Sequence, residues 1–193
     1  MGREKNTFSA EEQTRRLTEF SGRQILYGLI GAFLYALMYW ITSRYPISLL
    51  GILIFRPAVA ILVFVGVAYG PWAGLLAGFI GHTLGDLLSS GAFYWNWSLG
   101  TALIGMVPGF LRIAVKDFGS VPGILKAIGW STLGIAVGTL FASLMERIVS
   151  GIDLRTAVVD YFPLAFLGNF ACALVLLPIF MIIFAALVLR REA

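Results

Sequence analysis

Six long apolar stretches separated by short polar breaks dominate the chain from residue 24 onward. A membrane-crossing helix needs about 20 mostly apolar residues. The stretches Gln24–Thr42, Ser48–Tyr69, Pro71–Ser89, Ser98–Val115, Pro122–Met145 and Val158–Leu189 approach or exceed that length. The pattern predicts an all-α integral membrane protein with six transmembrane helices. The last stretch is longer than one crossing requires, which predicts tilt or an extension beyond the bilayer. Pro57, Pro108 and Pro178 fall inside stretches and predict kinks or local unwinding, because proline has no N–H to give the helix. No internal repeat is evident, so residues 23–193 read as one membrane domain behind a polar segment, 1–22. Within that segment Ser9 and Glu12 have capping-box spacing. A short surface helix over Ala10–Phe20 is one expectation and a frayed, solvated tail the other.

Composition sharpens this picture. Hydrophobic residues make up 59% of the 193 positions and charged residues 12%, against roughly 45–50% and 25% in soluble domains. Nine charges lie in the first 23 residues and three in the last four, leaving twelve over the 166 residues between. So few charges cannot cover a water-facing surface, so the solvent is lipid. The basic residues also orient the chain. With the N-terminus inside, Arg3, Lys5, Arg15, Arg16, Arg23, Arg112, Lys116, Lys126, Arg190 and Arg191 fall on the inner side; Arg44, Arg56, Arg147 and Arg155 fall outside. Ten against four predicts that both termini are cytosolic.

Several classes drop out. One cysteine, Cys172, allows no internal disulfide, and with a single histidine it cannot build a zinc site. The net charge of +4 reflects basic residues at the ends of apolar runs, which fits membrane topology rather than nucleic-acid binding. No P-loop occurs. No signal peptide is expected, because the first 22 residues are polar and carry four glutamates.

Gly70, Gly74, Gly78, Gly81 and Gly85 share one face of the third stretch and predict close helix packing. Gly28, Ala32 and Ala36 form a small-residue face on the first, able to dock either another helix of the chain or a second protein. Ionisable groups inside spans are costly and are candidates for function. Arg56 and Asp86 fall at similar depth on adjacent antiparallel helices, which predicts an ion pair. That pair either orders the packing or faces a cavity open to the outside and binds a polar ligand. His82, one turn deeper than Asp86, reads as a satisfied core residue. The segment Phe93-Tyr94-Trp95-Asn96-Trp97 crowds four aromatics into one hinge. It reads either as an interfacial belt or as a surface that stacks on a flat heterocycle, with Asn96 offering a donor and an acceptor. Asn169 reaches a comparable depth and completes the candidate cavity. Glu146 and Arg147 read as a solvated surface pair.

These residues carry a resemblance. The runs Arg56-Pro57-Ala58-Val59-Ala60-Ile61, Tyr69-Gly70-Pro71-Trp72-Ala73-Gly74, Gly85-Asp86-Leu87-Leu88-Ser89, Trp95-Asn96-Trp97 and Gly105-Met106-Val107-Pro108-Gly109 resemble substrate-binding S components of energy-coupling factor (ECF) transporters. The chain is most similar to the riboflavin-type subset. The resemblance covers residues 24–189 and is strongest over 55–110. It implies a prokaryotic plasma-membrane protein that captures a vitamin-like small molecule from outside, without a cofactor of its own. The implied partners are a transmembrane coupling subunit and two cytosolic ATPases, with delivery by tipping of the loaded subunit in the bilayer. The candidate substrate contacts, read from the residues themselves, are Arg56, Asp86, Tyr94, Trp95, Asn96, Trp97 and Asn169. The small residues Ala32 and Ala36, extended by Gly28, match the pattern that meets the coupling subunit. Ser43–Leu50 stands where a lid over the cavity would lie. The early histidine of nickel and cobalt members is missing.

Competing readings are a membrane scaffold of similar helical shape and a self-contained proton-coupled carrier using Asp86 and His82. An intramembrane enzyme is disfavoured. His82 has no recognisable nucleophile motif around it, and a magnesium-dependent transferase would need clustered aspartates where the spans hold only Asp86 and, at the edge of the last, Asp160.

Overall fold

A computed structural model describes residues 19–49, 53–113 and 118–192. The surface helix expected over 10–20 lies almost wholly outside the described residues. Six helices and one β-hairpin are present among them. Helix α1 (Gly22–Arg44) starts where the Ser21 hydroxyl accepts the Gln24 amide at 3.3 Å, a side-chain N-cap. It ends just before Pro46, which cannot continue a helix.

The next apolar stretch is not one long helix. Strands β1 (Ile47–Leu49) and β2 (Leu53–Phe55) pair antiparallel, with Ile47 opposite Phe55. Helix α2 begins only at Ala58 and runs to Tyr69, 12 residues. Pro57 explains the boundary. Its ring disfavours helical backbone at Arg56, and its own φ of −58° suits a helix start. The expected span Ser48–Tyr69 is therefore corrected to a hairpin followed by a short helix, and Pro57 opens a helix rather than kinking one. At about 1.5 Å per residue α2 is roughly 18 Å long. It tolerates that length because it is the central helix of the bundle, packed against α1, α3, α4 and α6, and it buries residues on every side.

Gly70 links α2 to α3 (Pro71–Ser90) with φ +106°, a conformation that glycine adopts without strain. The buried Gln24 side chain accepts the Trp72 amide at 3.1 Å and so ties α1 to the start of α3. Gly91, at φ +71°, closes α3 in the left-handed C-terminal manner. Helix α4 (Trp95–Gly109) holds Pro108 in its last turn and passes into a 3-10 turn, Phe110–Ile113. Helix α5 (Val121–Ser150) is capped by Ser120, whose hydroxyl accepts the Gly123 amide at 3.2 Å. A wide π turn, Thr156–Tyr161, then leads into α6 (Phe162–Glu192). Pro163, two residues past the end of that turn, has no N–H to donate, which favours the slipped register. Ahead of the turn, Asp153 accepts the Thr156 amide at 3.0 Å and its hydroxyl at 2.8 Å. Those bonds, the amide's first, hold the Asp153 carboxyl below its ordinary range.

The glycine face of α3 lies between α1 and α4. A Cβ on Gly74 would overlap the Gly105 carbonyl of α4, and one on Gly81 would sit 2.9 Å from the Ala32 carbonyl of α1. Small residues thus set the helix spacing through which α3 carries His82 and Asp86 inward. Helices α1 and α5, with the run Thr156–Leu187, are long and apolar enough to cross a membrane; α2 is a shorter apolar helix.

Candidate functional site

A cavity of about 420 Å³ opens among the helices near the α3–α4 turn, within the roughly 300–1,000 Å³ of single-ligand pockets. Residues from α1, α3, α4, α5 and α6 line it, with Arg56 from the link between β2 and α2. Its polar centre is Asp86, buried to 3% exposure. One carboxylate oxygen accepts the Tyr39 hydroxyl at 3.0 Å; the other lies 3.1 Å from His82 Nδ1. His82 and Asp86 are four residues apart on α3, and Tyr35 and Tyr39 are four apart on α1, so each pair shares a helix face. The two faces meet: the Tyr39 ring centroid lies 5.2 Å from that of His82 and 6.1 Å from that of Tyr35.

Arg56 does not pair directly with Asp86, and the expected ion pair is corrected here. The partner within salt-bridge distance of Asp86 is His82. Tyr39 stands between the two predicted residues, donating its hydroxyl to Asp86 while its ring faces the Arg56 guanidinium, 5.7 Å from the centroid. The Arg56 backbone N–H donates to Cys172 Sγ of α6 at 2.9 Å.

A second polar cluster is built on Glu146. Rather than the solvated half of a pair with Arg147, Glu146 is buried and lines the cavity. One oxygen accepts Asn96 Nδ2 at 2.7 Å and Trp97 Nε1 at 2.9 Å; the other accepts the Ser150 hydroxyl. Asn96 also donates to the Ala142 carbonyl at 3.2 Å. The start of α4 is thereby tethered to the end of α5.

The cavity gathers Arg56, Asp86, Tyr94, Trp97 and Asn169. Two other predicted contacts lie off its wall. Asn96 is fully buried against α5, its amide N–H groups spent on Glu146 and Ala142. Trp95 is partly exposed and does not line the cavity. In a helix starting at Trp95, residues 95 and 97 project in different directions. The small face of α1 is likewise no free surface. Ala32 and Ala36 are 1% and 4% exposed, and a Cβ on Gly28 would sit 3.0 Å from Leu76 of α3. The expected contact of Gly28, Ala32 and Ala36 with a coupling subunit is corrected to a contact inside the chain. Of the segment considered as a lid, Arg44 ends α1 and Ile47–Leu49 form β1; Leu50 lies outside the described residues.

Sequence reasoning passed over Tyr35, Tyr39, Ser89, Glu146 and Tyr161. The matched spacing of Tyr35/Tyr39 and His82/Asp86 is a legible signal for the first two. Ser89 gives none, yet the residue borders the cavity, with its hydroxyl oxygen buried and without a hydrogen-bond partner among the described residues.

Comparisons with known proteins bear on the class of protein to which the chain is similar. A family model described as ECF-type riboflavin transporter, S component, matches residues 22–189. A UPF0397 protein of Aliivibrio fischeri (strain MJ11) is 40% identical over 62 residues, 32% of this chain and 34% of that protein. The aligned part of the chain thus spans about a third of the length of that curated relative. No solved structure gives a significant match.

Proposed function

Because the chain belongs to the family of S components of ECF-type riboflavin transporters, we propose that it captures a vitamin or related micronutrient in the cavity around Asp86. It is an integral protein of the prokaryotic plasma membrane and serves transport rather than catalysis. The observation that carries the substrate-binding reading is the cavity itself. Aromatic rings from three helices, two buried carboxylates and an arginine converge on a volume suited to one small molecule.

In this reading the chain crosses the membrane six times, with both termini cytosolic, and the cavity opens outward near the α3–α4 turn. Arg56, Asp86, Tyr94, Trp97 and Asn169 contact the substrate, joined by Tyr39 and Ser89. Asn96 acts from behind by fixing Glu146, which holds Trp97. The flat aromatic surfaces suit a planar heterocycle, and a riboflavin-like ring is the first candidate. A transmembrane coupling subunit and two cytosolic ATPases supply the energy that tips the loaded subunit toward the cytosol. No nucleic acid takes part.

Release of bound material tests this directly. The full chain, purified in detergent without added ligand, is denatured and the supernatant analysed by absorbance and mass spectrometry. A single heterocyclic compound in stoichiometric amount is the expected result. An empty protein that is also not stabilised against heat by any member of a vitamin panel would sink the reading.

A further inference from the structure

We infer that the substrate is an anionic planar heterocycle, a flat ring bearing a carboxylate or phosphate, and that Arg56 holds the anionic group. The inference rests on the substrate-binding reading above and narrows the class of molecule.

It follows from which charges in the cavity are already engaged. The charged or chargeable lining groups, tyrosines aside, are Arg56, His82, Asp86 and Glu146. Asp86 is engaged by Tyr39 and His82. Glu146 is engaged by Asn96, Trp97 and Ser150. Arg56 alone has no such partner. Among the described residues its guanidinium has no hydrogen-bond acceptor or carboxylate partner, and it lies over the face of Tyr39.

A guanidinium stays charged in proteins, and Arg56, half-buried in the cavity wall, is better stabilised with a counter-charge within reach than without one. An aromatic face supplies only part of that stabilisation. A ligand anion supplies the counter-charge that the protein leaves out. Planar, forked donors match carboxylate and phosphate oxygens two at a time, which makes those groups the best fit. A cationic ligand would meet two carboxylates already engaged by protein donors, and an arginine that repels it.

The ring system follows from what surrounds the arginine. Tyr39, over which Arg56 lies, is clustered with Tyr35 and His82. Stacking on this cluster places a flat ring beside the guanidinium.

Matched pairs of probes isolate the anion. Riboflavin and riboflavin 5′-phosphate share one ring, as do pyridoxal and pyridoxal 5′-phosphate; nicotinamide and nicotinate add a carboxylate arm. Each is titrated calorimetrically into the purified full chain and into Arg56→Gln and Arg56→Lys variants, with ligand-free melting temperatures as the check on folding. The expected result is at least one pair whose anionic member binds at least about tenfold tighter than its neutral partner. Arg56→Gln abolishes that difference, and Arg56→Lys keeps part of it. The proposal is overturned if neutral members bind equally well, or if the preference survives Arg56→Gln. Silence in all three pairs overturns it too, and the fate of the substrate-binding reading is then read separately from the molecule released on denaturation.

Discussion

Trp95 and Trp97 are two residues apart and chemically identical, yet the fold gives them different work. Trp97 lines the cavity and donates its indole N–H to Glu146 at 2.9 Å. Trp95 sits in the first turn of α4 and is 37% exposed. If aromatic contact with the ligand matters, the two alanine variants must separate. Trp97→Ala is expected to weaken binding of the released ligand about tenfold, while Trp95→Ala changes it less than about twofold. Glu146→Gln should move in the same direction as Trp97→Ala, because the substitution leaves the Asn96 and Trp97 donors facing a poorer acceptor. Calorimetric titration of the three variants decides it; equal losses at both tryptophans would return the site to the whole aromatic segment. The sequence marks this hinge as aromatic and polar, but it cannot say which ring turns inward. That depends on where α4 starts, and no strong cap residue advertises the start: Tyr94 precedes the helix without a side-chain capping bond.

At the level of elements, the glycine pattern was legible and the second span was not. Glycines of α3 recur at helical spacing, and the structure uses them to bring α1 and α4 close. Hydropathy alone reads 48–69 as one apolar run, because a hairpin rich in Leu and Ile looks the same as a buried helix to a window of that width. Only Arg56-Pro57 announces the break, and a proline in a membrane span is common enough to be read as a kink. The burial of the small face of α1 has a related cause, since spacing shows that a helix docks there but not whether the partner is in the same chain. The packing role can be checked with two glycines. Gly74→Ala places a methyl group against the Gly105 carbonyl and is expected to destabilise by at least about 1–3 kcal/mol. Gly129→Ala on α5 meets nothing within 4 Å and should stabilise by about 0.5–1 kcal/mol, as alanine does in helix interiors. Thermal unfolding in one detergent, on both variants and the parent chain, gives the comparison. A Gly74→Ala protein as stable as the parent would mean that α3 and α4 do not approach as closely as described.

For the whole molecule, the open question is which ends of the bundle face the cytosol. The excess of basic residues on one side predicts cytosolic termini and an outward cavity, and the proposed capture of substrate from outside depends on that orientation. The structure suggests a clean way to read it. The chain has a single cysteine, Cys172, and it is buried to 0% exposure, so the parent protein should label poorly with a maleimide that cannot cross membranes. New single cysteines then report sidedness without removing Cys172, whose sulfur accepts the Arg56 amide. Val121, 69% exposed at the start of α5, belongs to the cytosolic side in the six-crossing reading; exposed Arg155, beyond the other end of that helix, belongs outside. In intact spheroplasts Arg155→Cys is expected to react, whereas Val121→Cys should react only after the membrane is opened. The reverse pattern would place the cavity mouth in the cytosol and exclude capture from outside. Labelling of both sites in intact cells would break the antiparallel crossing of α5, and with it the six-span topology.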